Sequence, residues 1–121
     1  MDVKKYGVVG LTVLLIFMTA VVLLMRKADT NTSDFIILHN RNMVYSSTTI
    51  VTRSGTIPLN LVNDDFVPHS FTIDELNIDF HVHPRGEDYL IFTAPPGTYT
   101  FYCTIPGHQE AGMVGQLIVE P

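Results

Sequence analysis

The 121-residue chain predicts an all-β fold, an antiparallel β-sandwich over residues 34–121, preceded by one transmembrane α-helix. Three observations carry that prediction. Beyond residue 33 no stretch keeps a helical period for three turns, whereas several runs alternate apolar and polar residues as half-buried strands do. Turn signals built from Gly, Pro, Asn and Asp recur about every 8 to 12 residues, the spacing a sandwich requires. Before residue 28, Gly7 to Met25 runs nineteen residues without a charge between Lys4, Lys5 and Arg26, Lys27, long enough to cross a bilayer.

The apolar run reads as an uncleaved anchor over residues 1–27. A cleaved signal peptide is the competing reading, but its apolar region is shorter and ends at small residues, and Leu23-Leu24-Met25-Arg26-Lys27 offers none. Residues 28–33, Ala-Asp-Thr-Asn-Thr-Ser, are small and polar and read as a short linker. The domain then occupies 34–121. Its first strand falls at Phe35–Leu38, and Met43–Thr52 is rich in the Val, Ile, Thr and Tyr that suit a pleated surface. Ser54-Gly55 marks a turn, Pro58–Val62 a strand, and Asn63-Asp64-Asp65 a polar break. Phe71, Ile73 and then Ile78, Phe80, Val82 keep a period of two, closed by Pro84-Arg85-Gly86. Tyr89–Thr93, Thr98–Cys103 and Val114–Val119 complete the set, with Ala94-Pro95-Pro96-Gly97 as a turn between the first two.

Charge narrows the partners. Residues 30–121 carry three Arg and ten Asp or Glu, so 3 − 10 gives −7, against −5 for the whole chain. Nucleic acid is disfavoured by that sign. The pairs Asp64-Asp65, Asp74-Glu75 and Glu87-Asp88 read first as a solvated surface and secondly as a field that steers a basic partner. No nucleophile with a general base and no phosphate loop is present in the sequence, so no catalysis is expected. Cys103 is the only cysteine, which excludes an internal disulfide and leaves packing or a metal to stabilise about 90 residues.

The chemistry is concentrated after Phe101. Cys103, His108 and Met113 stand at five-residue intervals on one loop, with Pro106-Gly107 and Ala111-Gly112 supplying the turns that fold it back. A thiolate, an imidazole and a thioether, completed by one more imidazole, make a donor set that selects copper. His39, His69, His81 and His83 are the candidates for that imidazole. His69 is favoured because a polar loop with Pro68 leads through it into an apolar strand, at a sandwich end where loops present function. Each residue alone has a plainer reading: a buried small Cys, a core Met, a hydrogen-bonded His. Their joint spacing is what argues against it. His81 and His83, at i and i+2 of a strand, share a face and read as an exposed pair or, less readily, a second metal site.

With these residues in view, the sequence over roughly 30–121 resembles the cupredoxins, the single-copper blue proteins. Val67-Pro68-His69-Ser70-Phe71-Thr72-Ile73 and Tyr102-Cys103-Thr104-Ile105-Pro106-Gly107-His108-Gln109-Glu110-Ala111-Gly112-Met113 carry the resemblance, and the C-x4-H-x4-M spacing is most like that of rusticyanins and auracyanins. The resemblance implies a Greek-key, cupredoxin-like sandwich holding one mononuclear copper per chain. In it His69, Cys103 and His108 would form a trigonal set with Met113 as long axial ligand, and the Ser70 side chain would support the cysteine sulfur. It also implies single-electron transfer between respiratory or photosynthetic partners such as a cytochrome or an oxidase complex. His108 would then be the electron port, ringed by Pro106, Gly107, Ala111 and Phe66 or Pro68.

Flanking charges do not decide orientation, since two basic residues stand on each side of the span. The redox reading places the domain on the extracytoplasmic side of the cell membrane, behind a single pass. Two other functions stay open at this point. One is a small subunit-II-like part of a membrane oxidase, although the binuclear centre usual there needs two cysteines. The other is copper carriage without electron transfer, which the lack of an exposed Met or Cys cluster disfavours.

Overall fold

The computed structural model of the protein describes residues 13–21 and 34–121. The chain divides into two units, Met1–Thr32 and Ser33–Pro121. In the first, residues 13–21 are helical and Val13, Leu14, Leu15, Ile16, Phe17 and Met18 are exposed. No helix among the described residues is long and apolar enough to cross a membrane. Most of the predicted anchor and all of the linker at 28–33 lie outside the described residues.

The second unit holds nine strands: β1 Ile36–Arg41, β2 Val44–Tyr45, β3 Thr49–Arg53, β4 Gly55–Asn63, β5 His69–Ile73, β6 Ile78–Val82, β7 Glu87–Ala94, β8 Gly97–Tyr102 and β9 Val114–Glu120. A 3-10 turn at Asp74–Leu76 joins β5 to β6. One sheet runs β2-β1-β4-β7 and the other β3-β9-β8-β5-β6. Strand placement follows the period-two pattern: along β9, Gly115, Leu117 and Val119 are buried while Gln116 and Glu120 are exposed.

Two expectations are corrected. The sheets are mixed, because β1 pairs with β4 and β3 with β9 in parallel. A parallel pair needs a crossover between its strands, and the chain supplies one by changing sheets twice before β4. The second change occurs at Ser54-Gly55, where Gly55 at φ 122° turns the backbone and Ser54 N–H donates to Glu120 O at 2.7 Å. Further, Met43–Thr52 is split into β2 and β3, in opposite sheets, by local hydroxyl bonding. Ser46 N–H donates to His39 O at 2.7 Å, Ser46 Oγ accepts the His39 N–H at 3.0 Å, and Ser47 Oγ donates to Thr49 O at 2.7 Å.

The core lies between the sheets. Phe71 and Phe101 stack with ring centres 5.0 Å apart, and Tyr45 meets Phe101 edge-on at 5.1 Å. Each such buried aromatic contributes about 1.5–3 kcal/mol through area removed from water. Tyr45 also donates its hydroxyl to Ser70 O at 2.6 Å, and burial, followed by the nearby Cys103, pushes its pKa upward. The core thus holds the first residues of β5.

Candidate metal centre

Antiparallel pairing of β5 with β8, in register at Thr72 and Tyr102, brings the start of β5 beside the end of β8. His69 opens β5 and Cys103 follows β8, so residues 34 apart in sequence meet at one end of the sandwich. The 104–113 loop then folds back through Gly107 at φ 85° and Gly112 at φ 101°, conformations that suit glycine. Backbone bonds close it: His108 N–H to Ile105 O at 3.0 Å, Met113 N–H to His108 O at 3.0 Å, and Cys103 N–H to Met113 O at 3.1 Å.

The result is a group of three converging donors. His69 Nδ1 and His108 Nδ1 are 3.2 Å apart, and they lie 4.0 and 3.6 Å from Cys103 Sγ. Donors each roughly 2.0–2.3 Å from a shared ion fall within about 4.6 Å of one another, and all three separations do. His69 and Cys103 are buried, and His108 alone keeps some exposure, 8%. Met113 is fully buried in the adjoining core, tied through its backbone to both Cys103 and His108. Burial and the neighbouring His69 lower the His108 pKa against the opposing pull of Asp65, which favours the neutral imidazole, the form that can bind a metal.

Ser70 supports the sulfur differently from the expectation. Its backbone N–H points at Cys103 Sγ at 3.3 Å, while its hydroxyl accepts the Thr104 N–H at 2.8 Å and lies 3.0 Å from Thr104 Oγ1. The strand direction at β5 aims the amide at the sulfur and leaves the side chain facing the start of the loop.

The other histidines lie apart. His39 bonds Asp64 at 2.9 Å, and His81 pairs with Asp79 at 3.1 Å on the exposed face of β6. His83 falls beyond the end of β6 and is exposed. Among the described residues, His69, Cys103 and His108 form the only group of three or more His, Cys, Asp or Glu donors close enough to share an ion.

Asp65 was not singled out by sequence reasoning, which treated Asp64-Asp65 as surface charge. Its Oδ2 lies 2.8 Å from His69 Nε2, and its carboxylate also accepts the N–H groups of Asn42 at 2.9 Å and Met43 at 3.2 Å. Burial raises its pKa, but those bonds from Asn42, His69 and Met43 outweigh it and hold the carboxyl below its ordinary value. The i, i+4 spacing to a strand-opening histidine was the available signal. Asn63 pins the same loop, donating to Val67 O at 2.8 Å and His83 O at 3.0 Å and accepting the Asp65 N–H at 2.9 Å.

The chain is 38% identical over 64 residues to a chloroplastic plastocyanin of Chlamydomonas reinhardtii, covering 52% of this chain and 43% of that protein. It is 32% identical over 92 residues to auracyanin-B of Chloroflexus aurantiacus, covering 75% and 39%. The chain therefore spans less than half the length of these curated relatives. Among solved structures, reduced auracyanin from the photosynthetic bacterium Roseiflexus castenholzii superposes with a TM-score of 0.63 at 25% identity, covering 72% of this chain and 97% of that one. The family model described as "Cupredoxin-like domain" matches residues 12–119, and the chain belongs to that family.

Proposed function

We propose that this chain is a membrane-anchored mononuclear blue copper protein that carries single electrons between redox partners. The observation that carries the reading is the convergence of His69 Nδ1, His108 Nδ1 and Cys103 Sγ at one end of a rigid sandwich. In this reading those three residues would hold one copper ion, and Met113, fully buried and bonded through its backbone to Cys103 and His108, would add a weak thioether donor. The C-x4-H-x4-M spacing favours the rusticyanin and auracyanin type within the family.

Bound copper would supply a centre that accepts and releases one electron. The protein's share is to hold its donors still. His69 and Ser70 are fixed by β5 between β6 and β8, and Cys103 is fixed by its backbone bond to Met113. The Ser70 amide places a fixed positive dipole on the Cys103 sulfur. Burial of His69, Cys103 and Met113 keeps water from the donors, and His108 is the route outward. Phe66 and Val67, just before His69, and Pro106 and Ala111, between Cys103 and Met113, are exposed. Such small apolar surfaces suit a brief encounter with a cytochrome or oxidase partner.

Copper addition to the purified protein is the direct test. One equivalent should produce an intense visible band, absent in Cys103→Ser, and should raise the melting temperature, with chelation reversing both. No band in the wild-type protein with stoichiometric copper would defeat the reading.

Membrane attachment rests on the uncharged Gly7–Met25 run and on the exposed apolar side chains of its helical part at 13–21. Retention of the full chain in alkali-washed membranes is the expected outcome. A reporter fused to the C-terminus should be active only outside the cytoplasm.

A further inference from the structure

We propose that Asp65 is the positioning residue of the metal centre, its carboxylate fixing the ring orientation and tautomer of His69. The inference rests on the copper reading above, but the geometry behind it belongs to the protein itself.

Both Asp65 carboxylate oxygens accept backbone N–H groups, from Asn42 and Met43, and Oδ2 meets His69 Nε2 at 2.8 Å as an acceptor, the arrangement that puts the imidazole proton on Nε2. Nδ1 is thereby left with its lone pair free, on the side facing Cys103 and His108. The carboxylate is not free to follow the ring. Oδ1 accepts the Asn42 N–H and Oδ2 the Met43 N–H, while the Asp65 main chain is bonded at N–H to Asn63 Oδ1 and at its carbonyl to Arg85 N–H at 2.9 Å. Four bonds from three other segments therefore locate Asp65 without any contribution from His69. The imidazole, fully buried, is the partner that is oriented.

Asn42 and Met43 are the two central residues of the β1–β2 turn, both at positive φ, 55° and 58°. Asp65 accordingly joins an unfavourable turn in one sheet to a donor residue in the other. A carboxylate behind a ligating histidine also strengthens that histidine as a donor, and the gain is larger toward the more highly charged metal state. Asp65 should then favour the cupric over the cuprous ion and lower the reduction potential.

The test compares wild-type protein with Asp65→Asn, Asp65→Ala and the double variant Asp65→Asn/Met43→Gly, in which glycine stabilises the turn without the carboxylate. In the metal-free wild type, nitrogen-detected resonance of the His69 ring should show a protonated Nε2 and an unprotonated Nδ1, and Asp65→Ala should mix the tautomers. Cupric affinity should fall about 10-fold in the Asn variants and up to about 100-fold in Asp65→Ala. Cuprous affinity should fall less. A tenfold preferential loss of the cupric ion is a rise in potential of about 59 mV, and the double variant should keep that rise. Two results would overturn the proposal: a wild-type His69 protonated on Nδ1, or variants whose potential and copper affinities match the wild type. If the wild type itself binds no copper, the copper reading fails, and the ring tautomers still decide whether Asp65 positions His69.

Discussion

The Ser70 hydroxyl accepts the backbone N–H of Thr104 at 2.8 Å, so the residue after His69 is bonded to the residue after Cys103. The two donor-bearing strand ends are thus joined through the Ser70 side chain, whose hydroxyl also lies 3.0 Å from Thr104 Oγ1, and through its main chain, since the Ser70 N–H meets Cys103 Sγ. Replacing Ser70 by Ala removes the first link and leaves the second. We expect a loss of about 1–3 kcal/mol, the cost of an unpaired amide at a partly buried position, read by denaturant titration. The visible band of the copper-loaded protein should move little, because the bond to sulfur comes from the backbone. A large shift of that band in Ser70→Ala would show that the hydroxyl acts on the sulfur after all.

Gly115 sits opposite Phe101 in the β8–β9 pair. A Cβ built there would lie 2.6 Å from Phe101 Cε2 and 2.8 Å from Thr48 O. The ring cannot retreat, being stacked on Phe71 and capped by Tyr45. Gly115→Ala should cost about 3 kcal/mol, at the upper end for overpacking, and thermal melting of the metal-free protein should show it. An unchanged melting temperature would mean that the strands separate more easily than their packing implies.

Met43 occupies the second central position of a two-residue turn with φ 58°. A side chain there costs about 1–2 kcal/mol relative to glycine, offset in part by glycine's greater freedom when unfolded. Met43→Gly sets a glycine directly after Asn42, the Asn-Gly pairing such turns prefer, and should stabilise the protein by about 0.5–1 kcal/mol in equilibrium unfolding. A loss of stability would indicate that the exposed methionine side chain makes a contact worth more than the strain.

Acid should act through Asp79. The Thr72 hydroxyl donates to its carboxylate at 2.8 Å, and this, against a smaller effect of burial and with help from His81, holds its pKa below the ordinary 3.8. A carboxyl depressed in the folded state stabilises the fold fully above its unfolded pKa and loses that contribution as pH falls through the folded value. Melting temperatures measured from about pH 7 to about pH 2 should therefore drop below about pH 4 more steeply in the wild type than in Asp79→Asn. Parallel curves would assign the acid sensitivity to other carboxyls, Glu87 among them, whose pKa is lowered by Asn60 and then Tyr89.

Much of the strand pattern and the three donors of the 103–113 loop were legible in the sequence by itself. Period-two alternation and turn residues are local properties, and so is a loop that places Cys103, His108 and Met113 at five-residue steps between glycines able to adopt positive φ. What local pattern does not contain is which strand lies beside which. Of four candidate histidines the sequence favours His69, but only the β5–β8 pairing shows it beside Cys103, while His39 and His81 are taken by Asp64 and Asp79. The same packing made two pairs parallel, aimed the Ser70 amide rather than its hydroxyl at the sulfur, and turned Asp65 from an apparent surface charge into the partner of His69. Each of these depends on contacts between segments distant in the chain. They were decided when the two sheets closed on the stacked rings of Phe71 and Phe101, because only burial of that shared core sets the register that brings the distant groups within bonding distance.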